Sequence, residues 1–341
     1  MVLKELCALR GVSGNEGEVR DYIVAAAEKA GAEVKVDRMG NVIAVKRAAN
    51  PDAKTVLLDA HMDEVGMIVI GINPNGLISY GTCGGIDSRV VVSKPVLVGE
   101  NKVPGVIGAK AIHLQSPADR QRVLGHDDLY IDIGARDQAS AERLVNPGDF
   151  ISFDSEWVEF GEGLVKSKAL DDRVGCYTML RVLEGEYPVN VVCAFTVQEE
   201  TGLRGARTVR FADMPTPDCA IALEGTTSND MGMVDNWEKV CCVGKGAAIS
   251  IMDNASIGTP SMFKKLRDVA EKNGISWQIK NKVAGGNDAG QLQGAKGPLP
   301  TGVVSVPCRY IHSPSSVASF GDIDAQYQLV DAFLKEFNGL N

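Results

Sequence analysis

The chain has 341 residues, 45% hydrophobic and 23% charged, the make-up of an ordinary globular protein with room for two domains or one large one carrying an insertion. Its net charge of −9 argues against nucleic acid or an anionic membrane as partner, and no apolar run approaches the roughly 18 residues of a membrane span. Eight scattered cysteines without a CxxC pair read as free thiols of a reducing cytosol, not as a disulfide framework or a thiolate zinc site.

The opening stretch MVLKELCALRGVSG places Glu5 and Arg10 inside its only apolar patch and offers no cleavage-like site, so no signal peptide is expected. Ser13 opens a predicted helix on which Val19, Tyr22, Ile23, Ala26, Ala27 and Ala30 share a face before Gly31 stops it. AEVKVDR, NVIAVK and TVLLDA follow as strands, the last delivering His61. From Gly66 to about Phe160 the texture changes. MIVIGI, KPVLVG, KVPGVIG, LYIDIG, DFISFD and EWVEFG are short alternating runs punctuated by Gly, Pro and Asp, which predicts a small all-β barrel or sandwich.

After Lys166 strands and helices alternate. DDRVGCYTMLRVLEG reads as a helix, VNVVCAFTV and CAIALEG as strands, SMFKKLRDVAEKNG as a helix and TGVVSVP as a strand. A last helix from Asp322 aligns Ile323, Tyr327, Val330, Leu334 and Phe337. The expected fold is therefore α/β, a mainly parallel sheet with helices on both faces, formed by residues 1–65 and 160–341 and interrupted by an inserted all-β, barrel-like domain at 66–159.

In open α/β sheets functional groups gather at the carboxyl ends of strands. His61 and Asp63 follow TVLLDA, Asp171 and Asp172 follow LVKSKAL, Glu199 and Glu200 follow CAFTVQ, Glu224 follows CAIAL, and His312 follows VVSVPCRYI. Taken singly each has a bland reading: a structural histidine, a helix N-cap, a solvated turn. His113 and His126, in the β insertion, are left as structural. Together, two imidazoles and several carboxylates without cysteine form a donor set suited to a pair of divalent ions such as zinc, cobalt or manganese. Such a pair also explains how the adjacent acids Glu199 and Glu200 can sit beside an apolar strand. One holds a cation while its neighbour takes a proton from water.

AHMDEVG (60–66), KALDDRVG (168–175), TVQEETGLRGA (196–206), ALEGT (222–226) and IHSP (311–314) stand in the order and spacing of a known group. Over essentially its whole length the chain resembles the tetrahedral aminopeptidase family of dinuclear metallopeptidases, family forty-two, some of whose members are labelled glutamyl aminopeptidases and others endoglucanases. GGID (84–87), PGVIGAKAIHL (104–114), DLYIDIGA (128–135) and GGNDAG (285–290) extend the likeness.

The resemblance implies that His61 and Glu224 bind one metal, that Glu200 and His312 bind the other, and that Asp171 bridges them, with a cis peptide between Asp171 and Asp172. It implies Glu199 as general base and acid, and Asp63 as the residue that orients His61. It further implies short peptides as substrates, dimerisation through the β insertion, and a dodecameric tetrahedral shell. Three positions depart from the common pattern: Glu224 where aspartate is frequent, Asn287 where threonine is frequent, and CGGIDSRV in place of a proline-containing form. A di-metal carboxypeptidase or deacylase is the nearest rival. An endoglucanase would want aromatic platforms that a chain with 6% aromatic residues scarcely provides, and a non-catalytic shell protein should have lost a ligand or the base.

Overall fold

The structure is a computed structural model and describes residues 2–209, 214–232, 234–294 and 298–340. Two helices lead the chain, α1 (Val2–Ala8) and α2 (Gly17–Lys29). They precede a hairpin of β1 (Glu33–Val36) and β2 (Val42–Lys46), and then β3 (Thr55–His61), buried at every position. Ser13 does not open α2 as expected. The helix starts four residues later, after Glu16, and the Ser13 hydroxyl instead meets the Thr201 hydroxyl at 3.0 Å.

The alternating region closes into a six-stranded barrel of β4 (Gly66–Ile72), β5 (Ile78–Cys83), β6 (Pro95–Val98), β7 (Val103–Ala109), β8 (Leu129–Asp132) and β9 (Phe150–Phe153), with a short α3 (Gln138–Ala141) between the last two. Met67, Val69, Val96, Val98, Ile107, Ile131, Ile151 and Phe153 fill it, at the every-second-residue period that a closed sheet requires. The run EWVEFG lies outside the barrel. Its strand β10 (Val158–Phe160) pairs with β11 (Leu164–Ser167), which pairs with a strand near the C-terminus. β5 has inward Ile78 and Tyr80 but carries Ser79, Gly81 and Thr82 around them, so its apolar period is faint.

The chain then runs through α4 (Leu170–Leu183), β12 (Asn190–Thr196), α5 (Arg204–Thr208), β13 (Cys219–Thr227), β14 (Ala247–Ser250), α6 (Pro260–Asn273), β15 (Trp277–Lys280), α7 (Ala289–Leu292), β16 (Thr301–Cys308), β17 (Ser316–Ser319) and α8 (Phe320–Glu336). Eight strands form one sheet in the order β1-β2-β12-β3-β13-β16-β14-β15. Its four central members, β12, β3, β13 and β16, are mutually parallel, while β2 and β14 run against them on either flank. Such central strands are covered on both faces, which accounts for their nearly continuous apolar sequences.

The cover is unequal. Val19 and Ile23 of α2, Met179 and Val182 of α4, Met262 and Leu266 of α6, and Leu329 and Phe333 of α8 pack into one core with one face of the sheet. Among the described residues the other face meets the short helices, through Ala206 of α5 and Leu292 of α7, together with the loop residues Val209, Met214 and Leu299. The last helix begins at Phe320, two residues before Asp322, because Ser319 caps it by accepting from the Gly321 amide.

Where the chain enters α4, a buried ion cluster ties three segments together. The Lys168 ammonium donates to both carboxylate oxygens of Glu64, at 2.7 and 2.9 Å, and to the Leu9 carbonyl at 2.7 Å. Arg173 donates from Nε to the Met62 carbonyl at 2.9 Å and from its guanidinium to the Leu6 carbonyl. α1, the segment after β3 and the start of α4 are thereby fixed against one another, directly beside the carboxyl ends of the central strands.

Candidate metal centre

Because β12, β3, β13 and β16 are neighbours and parallel, their carboxyl ends lie side by side. His61 ends β3, Glu199 and Glu200 come just after β12, Glu224 lies in β13, and His312 follows β16 by four residues. Asp171 reaches the same spot from the start of α4. There Asp171 and Asp172 have non-helical backbone angles and the peptide between them is cis, as the family resemblance implies. Gly225 permits this approach, since a Cβ there would lie 2.9 Å from the Asp171 Cα.

All five expected ligands converge. His61 Nε2 stands 3.5 Å from Asp171 Oδ1 and 3.7 Å from Glu224 Oε2. His312 Nε2 stands 3.7 Å from Asp171 Oδ2 and 3.4 Å from Glu200 Oε2. These separations are long for hydrogen bonds but match the edge of a tetrahedron of donors, roughly 3.3–3.6 Å when each lies about 2.0–2.2 Å from a common ion. Asp171 turns one oxygen toward each imidazole, so two triads, His61–Asp171–Glu224 and Asp171–Glu200–His312, share it. A third combination, His61–Glu199–Glu200, overlaps them.

Asp171 Oδ1 and Glu224 Oε1 are buried without any hydrogen-bond partner, although buried polar atoms normally find one. Both atoms belong to the His61–Asp171–Glu224 triad, where a divalent cation would satisfy them, and Asp171–Glu200–His312 offers a second N/O donor set beside it, so the residues present fit a two-ion centre.

The surrounding hydrogen bonds orient the donors. His61 Nδ1 lies 3.1 Å from the Asp63 carbonyl oxygen and 3.4 Å from its carboxylate, which makes Nδ1 the donor and leaves the Nε2 lone pair facing the cluster. The Asp63 carboxylate spends its hydrogen bonds elsewhere, accepting from the Glu199 amide at 3.0 Å and the Glu200 amide at 3.1 Å. His312 Nδ1 faces the carbonyl of Gly85, 2.9 Å away, so the barrel segment GGID contributes directly. Gly84 has φ +89°, and a Cβ there would lie 2.8 Å from Val65 and 3.2 Å from the Glu200 Cβ, so the loop needs glycine at this point. His126 makes structural bonds in the barrel, to the Tyr80 hydroxyl and the Ile86 carbonyl.

Other buried polar groups support the cluster, of which Asp59 and Asp288 were not singled out from the sequence. Asp172 accepts from the His61 amide at 3.2 Å and so anchors β3 to α4. Asp59 and Asp288 lie beneath the cluster, Asp288 accepting from the Thr196 hydroxyl at 2.6 Å. A charged residue inside the otherwise apolar TVLLDA is the one signal that could have pointed to Asp59. Asn287 is buried as well, donating to Asp253 at 2.8 Å and accepting from the Ala289 amide. The cluster floors a cleft of about 510 Å³ whose far end is lined by Lys280, Ala284, Gly285, Gly286 and Asn287. The Lys280 ammonium donates to the Ala284 carbonyl at 2.8 Å.

Crowding shifts every titration here. Burial, with the Asp288 and Glu200 charges added, drives Glu199 well above the usual carboxylate range against the opposing charge of His61. Burial raises Glu200 to about 7, with His312 resisting. For His312 burial lowers the pKa, but Asp171 and Glu200 outweigh it and lift the imidazole to about 9.

Groups whose pKa is raised on folding contribute stability below their unfolded value and lose it as pH climbs through the folded one. In chelator, stability should therefore fall as pH rises from about 4.5 to about 7 through Glu200, and from about 6.5 to about 9 through His312. Melting curves in EDTA across pH 5–9 test this. The midpoint should decline steadily, and saturating divalent cation should abolish most of the slope.

A sequence profile described as M42 glutamyl aminopeptidase matches residues 40–329. A relative from Acetivibrio thermocellus, named provisionally as an aminopeptidase, is 35% identical over 331 residues, 96% of each chain. The crystal structure of a TET aminopeptidase from a marine sediment Thaumarchaeota archaeon superposes with a TM-score of 0.93 at 31% identity, covering 98% of this chain and 95% of that one. The TET1 peptidase of Pyrococcus horikoshii, described as able to assemble into a tetrahedron or a large octahedral shell, gives a TM-score of 0.85 at 32% identity over 98% of each chain. Among the described residues no helix is long and apolar enough to cross a membrane. On these matches and this fold, the chain belongs to the M42 aminopeptidase family and is a peptide-bond hydrolase.

Proposed function

We propose that this chain removes N-terminal residues from short peptides at a dinuclear centre in which His61 and Glu224 hold one divalent cation, Glu200 and His312 hold the other, and Asp171 bridges. The observation that carries this reading is the pair of donor triads sharing Asp171, with one Asp171 oxygen and one Glu224 oxygen otherwise unpartnered. The N/O donor set without sulfur suits zinc or cobalt, and also manganese. When bound, such ions supply Lewis acidity that lowers the pKa of water and polarises a scissile carbonyl.

The chain's own residues do the rest. Glu199 is the general base. It is 9% exposed, its Oε2 lies 4.0 Å from His61 Nε2, and its high proton affinity suits a group that must take a proton from water and return it to the leaving amine. Asp63 fixes the backbone at Glu199 and Glu200, and its carbonyl sets the His61 tautomer. A free substrate α-amine would be received by the carboxylates around the centre, which is what distinguishes an aminopeptidase from a carboxypeptidase or deacylase.

Glu199→Gln preserves shape but cannot accept the proton. It should bind both cations with wild-type stoichiometry while kcat falls by about 10²–10⁴-fold and KM stays within a few fold. An aminoacyl-chromogen panel after loading with zinc, cobalt or manganese checks this. Robust turnover by the variant would remove Glu199 from the role, and hydrolysis of N-acetylated peptides as fast as free ones would favour the deacylase reading.

The cleft also suggests a side-chain preference. Lys280 lines its far end as an ammonium with three donors, one of which is spent on the Ala284 carbonyl. An acidic substrate side chain would meet a cation there, in keeping with the glutamyl aminopeptidase description of the family. Lys280→Met should lower kcat/KM for glutamyl substrates by about tenfold or more relative to leucyl ones, and an unchanged ratio would reject the assignment.

The shell assembly of relatives extends to this chain by proposal as well, with residues 66–159 forming the dimer contact. Ile112, Leu114 and Val123, 69%, 65% and 64% exposed on the barrel, give that contact an apolar centre. Light scattering should return the mass of a dodecamer, or of a dimer at high dilution. A monomer at all concentrations would exclude the assembly.

A further inference from the structure

The loop that carries Glu199 and Glu200 leaves β12 through a reversal, with Gln198 in the left-handed region at φ +55°. Four consecutive amides of this loop are held by side chains from elsewhere in the fold, none by a strand partner. Val197 N–H donates to Asn41 Oδ1 at 3.0 Å, Gln198 N–H to Glu16 Oε1 at 3.1 Å, and Glu199 and Glu200 N–H to the two oxygens of Asp63. One residue on, Thr201 meets Ser13 through their hydroxyls at 3.0 Å. The short segment Ser13–Glu16 thus grips the loop on both sides of the two glutamates.

Glu16 has a bland explanation, an acid at the start of α2, but its side chain makes no capping bond to that helix. The carboxylate turns back to the Gly14 amide at 2.7 Å and outward to Gln198. It is 8% exposed, and among the described residues the charge that bears on it is that of another acid, Asp63. Burying an anion beside an anion without a cation partner works against stability. The same placement is what directs the Gln198 amide, and with it the course of the chain into Glu199.

We propose that Glu16 is a positioning residue of the active site: by accepting the Gln198 amide it holds the left-handed turn that aims Glu199 at the reacting water. The proposal rests on the reading of Glu199 as general base. Glu200 and its cation should be less affected, because Glu200 lies one residue further from the Gln198 turn.

The test compares three variants of the full-length, cation-loaded enzyme. Glu16→Gln keeps an oxygen acceptor at the same reach and loses the charge. Glu16→Asp keeps the charge but withdraws it by one methylene. Glu16→Ala removes both. Misplacing a catalytic group by about 1 Å costs about 10²-fold. We expect kcat down by about 10–100-fold in the Ala variant and by at least about fivefold in the Asp variant, with KM within about twofold and two cobalt ions still bound by spectral titration. The Gln variant should return to within about threefold of wild type.

A wild-type kcat in the Asp and Ala variants, or a Gln variant worse than Asp, would overturn the proposal, as would loss of a cobalt ion accompanying the loss of rate. Should the Ala variant fail to fold, the order of Gln over Asp still decides. Glu199→Gln run in parallel separates the two readings. If it stays active the base assignment fails; if it is dead while the Glu16 variants are normal, only the positioning role fails.

Discussion

The constraint on which the structure turns is the crowding of like charge at one end of a sheet. Asp63, Asp171, Glu199, Glu200 and Glu224 surround two imidazoles, in a region where most of these side chains are nearly buried. Two unit charges about 4 Å apart interact by about 4 kcal/mol even at an effective dielectric near 20, so the acids tend to push the strand ends apart. What holds them together is the covered four-strand centre of the sheet and the buried Glu64–Lys168–Arg173 cluster, which locks the segments bearing His61 and Asp171. The scaffold supplies the mechanical resistance. Two bound cations would supply the electrostatic relief.

This division of labour explains the lopsided architecture. Four long helices back one face of the sheet and make the main core, so the positions of β3, β12, β13 and β16 are strongly determined. His61 and Glu224 are presented by β3 and β13 themselves and Asp171 by the start of α4, while Glu199, Glu200 and His312 stand on short excursions beyond β12 and β16, pinned by hydrogen bonds to Asp63 and Gly85. The barrel takes part in that pinning. Its Gly85 carbonyl orients His312, and Gly84 lets the same turn slip past Glu200. A domain whose strands share no sheet with the catalytic body therefore sets the tautomer of one proposed ligand.

Much of this was legible from the residues. The apolar runs of the central strands and the change of texture after Gly66 identified the fold class, and the acids and histidines at strand ends included all five converging donors, which the family resemblance then singled out. The turn-level detail was not legible, because it depends on which distant side chain meets which amide. Ser13 looks like a helix opener in sequence, but tertiary contact with Thr201 claims its hydroxyl. EWVEFG alternates like its neighbours in sequence, yet its pairing partner lies next to a strand near residue 317. Asp59 is an acid inside an apolar strand, and nothing local says that it meets Asp172 and Asp288 close to His61. Periodicity reports which face is buried, and it is silent on which buried polar groups find one another.

Position 224 shows how such a site tolerates change. Family resemblance sets aspartate as frequent there, and a glutamate is longer by one methylene. Two features accommodate the longer residue. The residue that follows is Gly225, whose missing side chain leaves the approach of Asp171 to β13 open. The Glu224 carboxylate also still places Oε2 3.7 Å from His61 Nε2, close to the 3.5 Å of Asp171 from the same nitrogen. The extra length is therefore taken up within the side chain, not in the separation of the donors. The two halves of the centre are inequivalent by construction. The His61 side is buried, its imidazole and the Glu224 side chain both nearly inaccessible, while the His312 side is partly exposed but fixed through Gly85 to the barrel and through Glu200 to Asp63.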